Sequence, residues 1–118
     1  VFSTAGHTDM VVTASFFSDN QRMITGSNDQ SFKIWSLVNF SVLHTITYTD
    51  IIMNIGLHPT DNRIFVLVFD GNIYVYHQTT YALLQTIDFT GQNPNYIAFD
   101  TANNKFIVGG LADGIAPP

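Results

Sequence analysis

Residues 6–35 read GHTDMVVTASFFSDNQRMITGSNDQSFKIW, and residues 47–76 read TYTDIIMNIGLHPTDNRIFVLVFDGNIYVY, so the second stretch repeats the first at an offset of 41 residues. The alignment needs no gap and extends to residues 46 and 87. The identical pairs are Thr8/Thr49, Asp9/Asp50, Arg22/Arg63, Asp29/Asp70, Leu43/Leu84, Thr45/Thr86 and Ile46/Ile87. A fixed period of this length predicts a repeat architecture, in which neighbouring units pack against one another.

A third copy begins after residue 87 and follows the same order at an offset of 42, because one extra residue falls near Gln92 to Pro94. Residues 96–100 and 105–108 then match the earlier copies. The sequence therefore predicts three units of one domain, at residues 6–46, 47–87 and 88–118, of which the last is incomplete.

Within each copy the pattern is that of β-strands. Short runs rich in β-branched and aromatic residues lie between turn residues, and no helical spacing is sustained over ten residues. The predicted strands are residues 11–17, 22–27, 31–37 and 41–46, then 51–57, 64–69, 72–77 and 82–87. Four antiparallel strands per repeat form one blade of a β-propeller. The expected fold class is all-β, a propeller fragment made of four-stranded antiparallel blades.

The first copy carries Gly6-His7-Thr-Asp9, Thr25-Gly-Ser-Asn-Asp29 and Lys33-Ile-Trp35, with Val11, Phe16 and Asp19 between them. This pattern resembles the WD40 repeat. The resemblance is most complete over residues 6–46. In the second copy Tyr48 stands where the histidine would be and Val66 where the threonine would be, so we expect that blade to hold together by apolar packing.

The resemblance implies a buried hydrogen-bonded set made of His7, Thr25, Asp29 and Trp35. An imidazole, a hydroxyl and an indole N–H each need a partner when buried, and a carboxylate accepts several hydrogen bonds. A histidine and an aspartate with Ser27 nearby also suggest a catalytic triad, but a side-chain network that stabilises the blade accounts for the same residues. We expect no catalytic residues.

Composition limits the partners. Four Lys and Arg against nine Asp and Glu give a formal charge of −5, which provides no basic surface for a phosphate backbone, so we expect no direct nucleic-acid binding. The absence of cysteine suits an intracellular protein, which we expect to be cytoplasmic. The six-residue apolar run at residues 64–69 is too short to span a membrane. The histidines His7, His44, His58 and His77 lack metal-ligand spacing, so no metal or other cofactor is expected.

The resemblance implies a scaffold that binds other proteins, as subunits of a larger complex, through loops at one end of the blades. The candidate partner-facing residues are Thr8, Asp9, Thr49, Asp50, Gln92, Asn93 and Asn95. One alternative is an enzyme-bearing propeller of the lactonase type, which residues 96–108 also fit. Another is a short chain that completes a ring by oligomerising, because fewer than about four blades cannot close one.

Overall fold

The computed structural model describes residues 6–89, 94–100, 105–110 and 115–116, and every regular element in these ranges is a β-strand. The strands are β1 (Val11–Phe16), β2 (Arg22–Ser27), β3 (Ser31–Ser36), β4 (Val42–Thr47), β5 (Ile52–Leu57), β6 (Arg63–Val68), β7 (Asn72–His77), β8 (Leu83–Asp88), β9 (Pro94–Asp100), β10 (Lys105–Gly110) and β11 (Ile115–Ala116). The described ranges hold no helix that is long and apolar enough to cross a membrane. The expected all-β fold class is confirmed.

The strands form three sheets in chain order. Strands β1 to β4 form sheet 1, β5 to β8 form sheet 2, and β9 to β11 form sheet 3. Each strand pairs antiparallel with the next strand of its sheet. In the first two copies each predicted strand agrees with the structure to within one residue at either end. The two four-stranded sheets are therefore consistent with propeller blades.

The first strand of each sheet carries a β-bulge at the same place. The register of β1 shifts between Val11 and Thr13, and that of β5 shifts between Ile52 and Asn54. In β9, Pro94 and Tyr96 have partners in β10, and the extra residue is Asn95. The expectation that Asn95 lies in a loop is therefore wrong. Pro94 can begin the strand because the first position of a strand does not have to donate to the ladder.

Two apolar clusters lie between the sheets. The first joins sheets 1 and 2 and includes Phe17, Ile24, Phe32, Ile34, Ile52, Ile55, Ile64, Val66, Val68 and Tyr76. The second joins sheets 2 and 3 and includes Phe65, Leu67, Ile73, Val75 and Phe89, with Ile97 and Phe99 packed against it. Sheet 2 is thus covered on both faces. This explains why β6 is apolar at every position after Arg63, with no alternation of polar residues.

The sheets present two rims. The upper rim consists of residues 6–10, 28–30, 48–51 and 69–71, which precede β1 or connect β2 to β3, β4 to β5 and β6 to β7. The lower rim consists of residues 17–21, 37–41, 58–62 and 78–82, at the opposite ends of the strands. On the upper rim, the Tyr48 amide donates to the Gln30 carbonyl at 2.8 Å, which extends the pairing of β3 with β4 by one residue. On the lower rim, Arg22 of sheet 1 donates to the Gln78 carbonyl of sheet 2, so this hydrogen bond joins the two sheets.

Candidate functional site

The structure brings His7, Thr25, Asp29 and Trp35 together in one hydrogen-bonded chain. The Trp35 indole donates to Thr25 Oγ1 at 2.8 Å, Thr25 Oγ1 lies 2.7 Å from His7 Nε2, and His7 Nδ1 lies 2.8 Å from Asp29 Oδ2. Because a carboxylate only accepts, His7 Nδ1 carries the proton, and the Thr25 hydroxyl donates to Nε2. The His7 and Asp29 side chains are only 1% and 8% exposed. The set therefore links strands β2 and β3 to the segment before β1.

Asp29 holds two parts of the upper rim together. Its Oδ1 accepts hydrogen bonds from the Ser31 amide at 2.9 Å and the Ser31 hydroxyl at 2.6 Å, and its Oδ2 accepts one from the Thr8 amide at 3.2 Å. The next residue, Gln30, has a φ of 74°, and its equivalent Gly71 has a φ of 90°. Both hairpins therefore use the same left-handed turn, and Asp29 attaches the segment bearing Thr8 to the first of them.

The hydrogen bonds to Asp29 lower the pKa of its carboxyl. Burial raises this pKa, but hydrogen bonds from the Ser31 hydroxyl, the His7 imidazole and the Thr8 amide outweigh burial and bring it from 3.8 to about 2. A carboxylate with a lowered pKa in the folded state stabilises the fold above its unfolded pKa. That contribution is lost as the pH falls from about 4 to about 2.

Asp29→Asn should therefore reduce the pH dependence of stability in this acid range. Between pH 5 and pH 2.5 the wild-type protein should lose about 1–2 kcal/mol more unfolding free energy than the variant does. Denaturant unfolding at both pH values measures the difference. Asp61→Asn, which changes an exposed lower-rim carboxylate, is the matched control. Equal losses in the wild-type protein and Asp29→Asn would contradict the assignment.

Sheet 2 replaces the histidine-centred set with tyrosines. The Tyr48 hydroxyl is hydrogen-bonded to the Tyr76 hydroxyl, and the Tyr74 hydroxyl donates to Asp70 Oδ2 at 2.7 Å. The rings of Tyr48 and Tyr74 lie 4.7 Å apart. Burial raises the pKa of all three phenols. The expectation that apolar packing alone holds this blade is therefore incomplete, because these hydroxyls find partners.

A signal for the tyrosine group was present in the sequence. Tyr48, Tyr74 and Tyr76 stand at the positions of His7, Lys33 and Trp35 in the first copy. Rings with hydroxyl groups at these positions, near the turn aspartate that both copies share, predict a hydrogen-bonded group in the second copy as well. Tyr48 lies in the turn before β5, whereas Tyr74 and Tyr76 lie in β7. The pattern within one strand therefore does not show that the three residues meet.

The candidate partner-facing residues have different positions in the structure. Thr8, Asp9 and Thr49 are exposed on the upper rim. Asp50 is half-buried there, and its carboxylate accepts a hydrogen bond from the Ile51 amide at 2.8 Å. Gln92 and Asn93 lie outside the described residues, and Asn95 belongs to β9. The structure thus brings the first four together on one rim.

Two exposed apolar residues of the upper rim were not among the candidates. Met10 is 66% exposed and Phe69 is 62% exposed. Met10 directly follows Asp9, and the Phe69 amide donates to the Ile51 carbonyl at 2.9 Å. Both residues therefore extend the surface formed by the predicted ones. Sequence alone did not single out these two side chains, because an apolar residue at a strand end has no pattern of its own.

On the lower rim, Arg22 connects the first two sheets. Its Nε donates to Asp19 Oδ2 at 2.7 Å, and its guanidinium reaches the Gln78 carbonyl and the Tyr81 hydroxyl of sheet 2. The guanidinium carbon lies 4.1 Å from the centre of the Phe17 ring. This arrangement fixes the orientation of neighbouring sheets and uses the arginine in structural contacts.

Within the part of the chain that the structure describes, no three His, Cys, Asp or Glu side chains form a group that could hold a metal ion. His58 and His77 each accept hydrogen bonds at Nδ1 from backbone amides two and three residues later. His44 stacks on Tyr81 with ring centres 4.8 Å apart. His58 and His77 therefore stabilise turns, and His44 packs between sheets 1 and 2.

The sequence matches the model of the WD domain, G-beta repeat family over residues 1–36. This match covers the His7, Thr25, Asp29 and Trp35 positions. Over residues 1–36 the chain is therefore similar to a WD40 repeat. Strands β1 to β3 lie within these residues and form a four-stranded sheet with β4, and a second sheet of the same topology follows. Both sheets are consistent with a partial propeller.

Longer proteins with similarity to this chain include two U3 small nucleolar RNA-associated protein 15 homologs. The protein of Xenopus tropicalis is 28% identical over 97 residues, 82% of this chain and 19% of the relative. That of Gallus gallus is 32% identical over 76 residues, 64% of this chain and 15% of the relative. The ribosome biogenesis protein BOP1 homolog of Aedes aegypti is 30% identical over 66 residues, 56% of this chain and 8% of the relative. The chain thus spans about a fifth or less of these relatives.

These similarities correct one expectation. The relatives are named for association with a small nucleolar RNA and for ribosome biogenesis. The expected cytoplasmic location is therefore wrong. This expectation rested on the absence of cysteine. Cysteine usage distinguishes reducing compartments from oxidising ones, but the cytoplasm and the nucleus are both reducing.

Proposed function

We propose that this chain is part of one WD40 β-propeller, with blades at residues 6–46, 47–87 and 88–118, that serves as a scaffold for other proteins in a larger assembly. The matched WD40 repeat and the sheets packed face to face support the architecture. The exposed Phe16 of sheet 1 supports a further blade before it. Its equivalent in sheet 2, Leu57, packs into the cluster between sheets 1 and 2.

The observation that carries the scaffold role is the rigid upper rim. Thr8, Asp9 and Thr49 are exposed there, while Asp29 and backbone hydrogen bonds fix the segments that bear them. A surface that is ordered before binding loses little conformational entropy when a partner docks. A wheel of such sheets presents several fixed turns at once, which suits the assembly of several proteins.

We propose a non-enzymatic role because the groups that resemble a catalytic triad are already used. Both ring nitrogens of His7 are hydrogen-bonded, and Thr25 is fully buried. The Ser27 hydroxyl donates to the Met10 carbonyl at 2.9 Å and accepts from the Asp29 amide at 3.0 Å. A nucleophile and a base must reach a substrate, and these groups contact one another inside the sheet.

The names of the relatives support an assembly that contains RNA and acts in ribosome biogenesis. We propose that this chain enters it through protein contacts. Its formal charge is −5, and Arg22 and Arg63 are ion-paired with Asp19 and Asp61 at 2.7 and 3.2 Å. Cations already paired within the fold contribute little to binding phosphates.

The test is to purify the tagged full-length protein from its own cells after ribonuclease treatment and to identify and quantify the associated proteins. We expect a protein assembly that survives the treatment. The double variant Thr8→Lys/Thr49→Lys should lose most of these partners, whereas Thr79→Lys, at an exposed lower-rim position, should keep them. Thermal melting of each variant checks the fold. The proposal fails if the wild-type protein sediments alone, or if both variants bind equally.

A further inference from the structure

Met10, just before β1, and Phe69, just after β6, both lie on the upper rim. The Met10 carbonyl accepts a hydrogen bond from the Asn28 amide at 2.9 Å, and the Phe69 amide donates to the Ile51 carbonyl at 2.9 Å. Both apolar side chains are about two-thirds exposed, although Val68, the residue before Phe69, is buried in the core. Large apolar groups exposed beside a rigid core are typical of binding surfaces.

The charges around this apolar pair are unevenly distributed between the rims. On the lower rim, Asp19 and Asp61 are each neutralised by an arginine. On the upper rim, Asp9, Asp29, Asp50 and Asp70 form no ion pair with Lys or Arg within the described ranges. Within these ranges the upper rim is therefore the more acidic of the two rims.

The backbone of this surface is ordered before any partner arrives. The Tyr48 amide donates to the Gln30 carbonyl at 2.8 Å, and the Phe89 amide donates to the Gly71 carbonyl at 2.7 Å. Thr8 is attached to Asp29. The backbone segments that carry the two apolar side chains and the acidic groups are therefore held by hydrogen bonds, so less conformational entropy is lost when a ligand docks.

We propose that the upper rim binds a segment of a partner protein that carries Lys or Arg next to large apolar side chains. This inference rests on the proposed scaffold function and specifies its partner. The apolar side chains of the segment cover Met10 and Phe69, and its cations pair with Asp9 and Asp50. The same carboxylates repel phosphates and acidic segments, so charge complementarity selects a basic one.

The probe for this proposal is a library of random 12-residue peptides displayed on phage and selected against the full-length protein. We expect the selected peptides to carry a net positive charge together with large apolar residues. Binding of the synthesised peptides is then measured by fluorescence anisotropy. Raising the salt from 50 to 500 mM should weaken it, because exposed ion pairs are screened.

Matched variants locate the site. Met10→Ser and Phe69→Ser should each weaken the selected peptides about tenfold, as expected for a truncated anchor, while Val38→Ser, at an exposed apolar lower-rim position, should not. Asp50→Asn should weaken them about threefold at low salt and Asp61→Asn should have no effect. Selection of neutral or acidic peptides, selection of none, or equal effects of the two rims would each overturn the proposal.

The same variants separate this inference from the scaffold role. If full-length protein with Met10→Ser/Phe69→Ser still co-purifies with its assembly and no basic peptide binds the wild-type protein, the scaffold proposal stands and the basic-segment proposal fails. If the wild-type protein has no assembly at all, the scaffold proposal fails whatever the peptides do.

Discussion

Trp35→Ala is expected to lower the free energy of unfolding by about 3–5 kcal/mol, the range for removing a large buried aromatic side chain. Trp35 is 4% exposed, and its ring contacts Gly6, whose added Cβ would lie 3.0 Å from the ring. The substitution removes this packing and leaves Thr25 without the indole donor. Chemical denaturation of the wild-type protein and the variant measures the loss.

Two further variants interpret that loss. Trp35→Phe keeps part of the ring volume but lacks the N–H group, so it should cost less than Trp35→Ala. The stability that Trp35→Phe still loses includes the contribution of the hydrogen bond to Thr25. Val38→Ala, at an exposed position, should change stability by less than about 0.5 kcal/mol. A loss below about 1 kcal/mol for Trp35→Ala would contradict a buried structural role for the set.

Gly26→Val should destabilise the protein by about 3 kcal/mol, at the upper end of what overpacking a core costs. A Cβ at Gly26 would lie 2.7 Å from Ile52 Cγ2 and 2.9 Å from both Ile55 Cδ1 and Thr13 Cγ2. Two of these atoms are methyl groups on branched carbons next to the backbone, so they cannot rotate away without moving the chain. Sheets 1 and 2 must therefore separate.

Thermal or chemical unfolding measures the effect of Gly26→Val, and Thr45→Val is the matched control. Thr45 is exposed in β4, where a β-branched residue fits a strand and should change little. Ile52→Ala should cost less in the Gly26→Val protein than in the wild-type protein, because it removes the methyl group nearest to the added side chain. A Gly26→Val protein as stable as the wild type would refute the close contact between the sheets.

Strand positions were predictable to within one residue in the first two copies because the apolar pattern and the turn residues act locally. Asp29 and Asp70 each stand in a hairpin in which the next residue, Gln30 or Gly71, takes a left-handed conformation. At Asn95 this approach failed. Pro94 and Asn95 have the composition of a loop but belong to β9, where Pro94 and Tyr96 pair with β10 and Asn95 is the bulge residue between them. Sequence pattern does not show this pairing.

The candidate surface was predictable only in part. Thr8, Asp9, Thr49 and Asp50 were predicted to lie in short loops at one end of the blades, and all four lie on the upper rim. Met10 and Phe69 were missed because exposure at the end of a strand depends on what packs above it. The tyrosine group of sheet 2 was missed because its hydroxyls meet only after the turn before β5 folds over β7.

The sequence by itself determined the all-β class, the repeat of about 41 residues and the resemblance to the WD40 repeat, since these depend on periodicity and on turn residues close in the chain. Only the tertiary structure decided which faces are buried, which polar groups find partners and which carboxylates remain unpaired by arginine. Those properties arise between residues far apart in the chain. Gly26 illustrates the difference, because its lack of a side chain is needed only where Ile52 and Ile55 of the next sheet come within van der Waals contact.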